Sequence, residues 1–123
     1  MTIENPLRIG AVIREALLSS ELIAGRVNGR IYPYTTQSEA KMPCIVYEGI
    51  AVDYDEYKDG AEATEVTMSL NVNATDYPSS IEIAEEVIDV LSEHEGVVPV
   101  SVSCEYESSA LLDVHKITIK VYL

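Results

Sequence analysis

Residues 64–74 read Thr-Glu-Val-Thr-Met-Ser-Leu-Asn-Val-Asn-Ala, and this stretch decides the fold. Val66, Met68, Leu70, Val72 and Ala74 fall on one side, and Glu65, Thr67, Ser69, Asn71 and Asn73 on the other. A period of two belongs to a pleated strand, whose successive Cβ atoms point to opposite faces. An unbroken alternation of this kind predicts a strand with one buried and one wet face, as in an antiparallel sheet covered on a single side.

Working outward toward the N-terminus, residues 44–57 are rich in Ile, Val and Tyr, and Lys58-Asp59-Gly60 separates them from the alternating stretch. An Asp-Gly pair tolerates the positive φ that a tight hairpin requires, so a long β-hairpin is expected. Toward the C-terminus, Pro78 and the capping-box pattern Ser79-Ser80-Ile81-Glu82 open a helix, with Asp76 as an alternative cap. Ala84, Val87, Ile88 and Leu91 form its apolar stripe. Glu82, Glu85, Glu86, Asp89 and Glu93 make the other face acidic, and Gly96 is expected to end it. Val98, Val100, Val102, Cys104 and Tyr106 then alternate, the chain turns over residues 108–113, and Ile117, Ile119, Val121 and Leu123 finish a second hairpin.

At the other end of the chain, Asn5-Pro6 makes a helix start, because a proline at the first helical position loses no hydrogen bond. Ile9, Val12, Ile13, Ala16 and Leu17 recur at helical spacing, and Leu22 and Ile23 carry the apolar pattern on to Gly25. Asn28-Gly29 marks a turn before the short Arg30-Ile31-Tyr32 segment. Pro33 and Pro43 bracket a loop over residues 34–42. The expected order is α-β-β-α-β-β in a single domain spanning 1–123. The economical way to bury two helical stripes and four strand faces is an α+β two-layer sandwich. Its mostly antiparallel four-stranded sheet would carry both helices on one face, and the first hairpin would protrude.

Composition narrows the function. The chain has 123 residues, 47% of them hydrophobic, and 21 acidic side chains against 8 basic ones give a formal charge of −13. At this size roughly 65% of the unfolded surface can be buried, enough for one core without disulfides or metal. Binding to nucleic acid through phosphates requires many Lys and Arg on one surface, which this balance excludes. The apolar share argues against disorder. Arg8, Arg14 and Glu15 interrupt the N-terminal apolar stretch, so no signal peptide is read and cytoplasmic synthesis without secretion is expected. No run of about 18 apolar residues predicts a membrane span. Cys44 and Cys104, far apart and without a CxxC motif, are expected to be reduced, buried thiols.

Catalytic motifs are hard to find. Nucleophilic catalysis needs Ser, Cys or Thr beside a base that a third group orients. The only histidines are His94, between Glu93 and Glu95 where a cation would favour the helix C-terminus, and His115, expected at a solvated or edge position. No G-x-S-x-G elbow is present, and Gly25 with Gly29 is explained by turn chemistry rather than by a phosphate cradle. Asp53, Asp55, Glu56, Asp59, Glu62 and Glu65 crowd the first hairpin. An EF-hand beginning at Asp53 would need Gly where Lys58 stands. A solvated acidic arm is the plainer reading. No catalytic residue, cofactor or metal ligand is therefore assigned.

Tyrosine is the unusual component: eight Tyr, with no Phe and no Trp. Tyr has an apolar body and a hydroxyl suited to a wet boundary, and it is enriched at protein interfaces. Tyr32, Tyr34, Tyr54 and Tyr57 fall in or beside the two segments without a buried pattern. The candidate interface residues are Tyr34, Asp53, Tyr54, Asp55, Tyr57 and Asp59.

The layout also resembles a known family. A helix ending in Leu17-Leu18 is followed by Ala24-Gly25-Arg26-Val27-Asn28-Gly29-Arg30-Ile31-Tyr32-Pro33. Next come Met42-Pro43-Cys44-Ile45-Val46-Tyr47, a long acidic hairpin and a Glu/Ala-rich helix. This sequence of parts is similar to that of the tail completion, or tail terminator, proteins of long-tailed phages and prophages. The resemblance covers nearly the full chain in order and length. The last hairpin matches in pattern only, and Cys44 departs from the family's usual residues. The resemblance implies a non-enzymatic head-tail joining protein that caps the head-proximal end of the tail tube as a hexameric ring. Its implied partners are further copies of itself, the tail tube protein and the head connector protein. It also implies monomers before assembly, no membrane, DNA that passes through without specific binding, and assembly in the bacterial host cytoplasm before entry into the virion. Another neck or tail-tube module is the competing reading. A small acidic enzyme or ligand-binding domain is a further one, and a deep pocket converging on carboxylates with raised pKa would favour it.

Overall fold

The computed structural model describes residues 5–34, 41–56 and 62–123. The side chain of Asn5 accepts the Leu7 N–H at 3.0 Å and opens a 3-10 turn, Pro6–Arg8, that leads into helix α1, Ile9–Leu18. Ile9, Ile13 and Leu17 are buried along one stripe. The apolar pattern continues past α1, but in a separate helix. The Ser20 hydroxyl accepts the Ile23 N–H at 3.3 Å and starts α2, Glu21–Val27. Asn28 at φ 48° and Gly29 at φ 78° then make the expected turn.

The sheet departs from the expected four antiparallel strands. Strand β1, Ile31–Pro33, lies parallel to β2, Cys44–Glu56, and the Ile45 N–H donates to the Arg30 carbonyl at 2.9 Å. With β3 (Glu62–Ala74), β4 (Val97–Glu107) and β5 (Leu112–Tyr122), it forms a five-stranded mixed sheet in the order β1-β2-β3-β5-β4. A strand of three residues is too short to carry a readable period, which is why the sequence shows only a short segment there.

Strand β3 behaves as its alternation predicts. Val66, Met68, Leu70, Val72 and Ala74 are buried, and their partners across the neighbouring strands include Ile45, Ile117, Ile119 and Val121. Helix α3, Tyr77–Ser92, lies against β3, β4 and β5, while α1 and α2 pack beside it. Its cap is Asp76, whose Oδ1 accepts the Ser79 N–H at 2.8 Å. Ile83, Ala84, Val87 and Leu91 are its buried apolar residues, whereas Ile88 is only partly covered. On α1, Gly10 lies directly beneath the Tyr47 ring of β2, so a Cβ there would collide with it.

Gly96 does not end the helix, which stops at Ser92. It turns the chain into β4 at φ 85°, and its carbonyl accepts the Tyr122 N–H at 2.8 Å. A Cβ at Gly96 would stand 2.6 Å from the Tyr122 carbonyl oxygen.

Strand β4 forms where expected, but its alternating residues do not share one covered face. Val97 is buried opposite Val121, and Pro99 lies opposite Ile119. A bulge between Pro99 and Ser101 then shifts the register, placing Val102 opposite Ile117 and leaving Val98 opposite Lys120 on the other face. Val98, Val100 and Val102 are 46%, 53% and 47% exposed.

Candidate functional site

The face of the sheet opposite the buried one carries Glu65, Thr67, Ser69, Asn71 and Asn73 of β3, all half-buried. Neighbouring strands complete a polar ladder. Asn71 Nδ2 donates to Glu48 Oε1 at 2.9 Å, the Ser69 and Thr118 hydroxyls stand 3.4 Å apart, and Lys120 Nζ meets Glu65 Oε1 at 2.8 Å. The hydrogen bond from Lys120 to Glu65, with the attraction between their charges, raises the lysine pKa. An open recess of about 310 Å³ lies on this face between Glu48, Asn71, Asn73, Glu105, Glu107, Leu112, Val114 and Lys116. The Ser109 hydroxyl and N–H both donate to Glu107 and hold its carboxyl below the ordinary value. A general acid requires the opposite shift, so Glu107 is not suited to that role. Among the described residues, no group of three or more His, Cys, Asp or Glu is placed to hold a metal ion.

His115 is where the sequence reading fails most plainly. It is 5% exposed rather than solvated, and Nδ1 lies 2.6 Å from the hydroxyl of the fully buried Ser80. Ser80 Oγ also donates to the Val72 carbonyl at 3.3 Å, and the Tyr77 ring stands 5.5 Å from the imidazole, tilted by 49°. With the proton on Nδ1, the ring donates to Ser80 and Ser80 donates to the main chain, so every buried polar atom has a partner. Burial pushes the His115 pKa down, and the Asp113 carboxylate pulls weakly against this. Although this is a serine–histidine pair, Ser80 is sealed from solvent and cannot meet a substrate. Its work is to tie the first turn of α3 to β3 and β5. A signal was available, because His115 stands two residues before Ile117 in the same buried alternation.

Only one of the two cysteines fits the expectation. Cys44 is buried, and burial raises its thiol pKa against a hydrogen bond from Asn73 and the charge of Arg30. Cys104 is exposed on β4, beyond the bulge. Both thiols are free.

Among the described residues, the interface candidates do not form one cluster. Tyr34 is 70% exposed at φ 63°, and its N–H donates to the Tyr47 carbonyl at 2.7 Å, which fixes it at the end of β1. Asp53, opposite Glu65, and Tyr54, opposite Thr64 and 63% exposed, stand seven residues or so further along β2. At about 3.3 Å per residue, the two tyrosines lie roughly 20 Å apart. The backbone of Asp55 pairs opposite Ala63 in the same hairpin. The Asp55 side chain, Tyr57, Asp59 and the turn at residues 58–60 lie outside the described residues, as does most of the loop over residues 34–42.

Among the described residues no helix is long and apolar enough to cross a membrane. The profile of one family, Tail completion protein gp17, matches residues 11–110. Among curated proteins no sequence matches the chain. Solved structures do match in fold. One is a chain of "Virion of native gene transfer agent (GTA) particle", with a TM-score of 0.71 and 14% identity, covering 93% of this chain and 92% of that one.

Proposed function

This chain belongs to the tail completion protein gp17 family, and from that premise we propose that it caps the head-proximal end of a phage tail tube and joins the tail to the head connector. It is a structural protein of the virion tail. In this proposal residues 1–123 act as one domain, assemble in the bacterial host cytoplasm and enter the virion as a homohexameric ring. The ring contacts the tube protein on one side and the connector on the other. The observation that carries the proposal is the family match over residues 11–110.

The physical properties of the chain support it. A ring around a DNA channel must let phosphate pass, and six copies of −13 carry −78. At physiological salt this repulsion reaches about 8 Å, enough to discourage binding at the channel wall. The same self-repulsion favours separate monomers until apolar contacts or a partner's basic surface offset it. Tyr34, Asp53, Tyr54, Asp55, Tyr57 and Asp59 are the proposed contact residues, carried by the first hairpin and the end of β1.

Electron microscopy of particles made with and without the chain tests the proposal. Its loss should give tails of uncontrolled length or tails detached from heads. Normal infectious particles in its absence would refute the role. Charge reversal at Asp53, Asp55 and Asp59 that left joining intact would remove the hairpin from it.

A further inference from the structure

The charges of this chain are unevenly distributed along the sequence. Five of the eight basic residues, Arg8, Arg14, Arg26, Arg30 and Lys41, lie within the first 41 positions, beside only four acidic ones. The remainder of the chain holds three basic and 17 acidic residues, with no Lys or Arg between Lys58 and Lys116. That gap contains all of α3 and β4.

The fold gathers Arg14, Arg26 and Arg30 at the corner where α2 meets β1, with Glu82 and Glu86 of α3 alongside α2. Arg14 donates to the Gly29 carbonyl at 3.0 Å, and Arg30 donates to the Arg26 and Pro43 carbonyls at 3.2 and 3.1 Å. Arg14 and Arg30 are thus anchored on main-chain oxygens, and of this group only Arg26 makes a salt bridge among the described residues, to Glu82 at 2.8 Å. Lys41 is exposed two residues before Pro43. At the opposite end of the sheet stands β4, with Val98, Val100, Val102 and Tyr106 about half exposed and Glu105 and Glu107 among them.

We propose that copies of this chain associate head to tail, the basic α2–β1 corner of one docking on the acidic, apolar β4 edge of the next. This deepens the ring reading above and rests on it for closure, since contacts between two different patches build rings or filaments rather than two-fold dimers. Pairing β4 with another β4 would bring Glu105 and Glu107 of each copy against like charges. The seam is made by side chains rather than by a continued ladder. Pro33 denies the β1 edge a donor, while Pro99 and the adjacent bulge interrupt β4. The exposed valines and Tyr106 supply apolar burial, and the complementary charges set orientation and encounter rate.

The test mixes isotopically heavy and light full-length chain at high concentration, treats it with a carbodiimide that joins lysine directly to carboxylate, and sequences the linked peptides. Heavy-light links between Lys41 and Glu105 or Glu107 are expected. Their yield should fall several-fold as ionic strength rises from about 0.01 M to about 1 M, where the screening length shrinks from about 30 Å to about 3 Å. The double variant Glu105→Lys with Glu107→Lys should abolish the remaining association, read as sedimenting mass, while its unfolding midpoint stays near that of the parent. Absence of heavy-light links, or Cys104–Cys104 disulfide dimers in their place, would overturn the head-to-tail seam. Tail joining without the chain is a separate result. It would end the functional reading while leaving any observed links in place.

Discussion

Strands β3 and β4 carry almost the same sequence signal and meet opposite fates. Each alternates apolar and polar residues along its length, yet the apolar side of β3 is fully buried while Val98, Val100 and Val102 of β4 stay about half exposed. The difference lies in position. β3 sits between β2 and β5 and under the helices, whereas β4 is an edge strand with a bulge. Alternation therefore specifies a strand; whether its apolar residues share one covered side depends on its neighbours in the sheet and on any bulge that shifts the register. An uncovered apolar edge is a liability in an isolated protein and an asset in one that assembles.

Substitutions can break this comparison. The largest effect is expected from Leu70→Ala in β3, which empties a fully buried position and should cost about 3–5 kcal/mol in urea unfolding. A loss below about 1 kcal/mol would mean that the centre of the sheet is no better packed than its edge. Gly96→Ala should cost about 1–3 kcal/mol in thermal unfolding, because it combines a positive φ with a close approach to the Tyr122 carbonyl. Ser80→Ala removes the partner of a buried imidazole and should cost about 1–2 kcal/mol in the same measurement.

The His115 environment also makes a pH prediction. Burial lowers its pKa below the ordinary 6.5, so the unfolded chain takes up a proton that the folded chain resists. Its contribution is intact above about 6.5 and is lost as pH falls through that value toward the lower folded pKa. Stability should therefore decline as pH falls below about 6.5, and His115→Gln should flatten part of that decline. The smallest effect is reserved for β4: Val102→Ser should change stability by no more than about 0.5 kcal/mol, as surface substitutions do, while weakening assembly.

Much of the buried layer was legible in the sequence because it repeats. The stripe of α1, the alternation of β3 and the Ile117, Ile119, Val121 series each recur over enough residues to fix both element and face. Asn28-Gly29 marked its turn through backbone chemistry. The rest depends on relations that no local pattern carries. β1 exists only because β2 lies beside it, and Ser20 divides an apolar run that reads as continuous. His115 was read by its polarity rather than by its place in the β5 alternation, which hid its bond to Ser80 in a different element. Of the candidate contact residues, Tyr34 and Tyr54 are exposed. No local pattern shows that they stand at separated places, or that β4 offers a larger apolar edge than either.

Cys104 provides the most direct test of the claim that the β4 edge is built to be covered. It is exposed on β4, while buried Cys44 serves as an internal reference. A thiol reagent should label Cys104 rapidly in the isolated chain and at least tenfold more slowly in assembled particles, with Cys44 slow in both. Equal labelling of Cys104 in the isolated chain and in the particle would contradict the account.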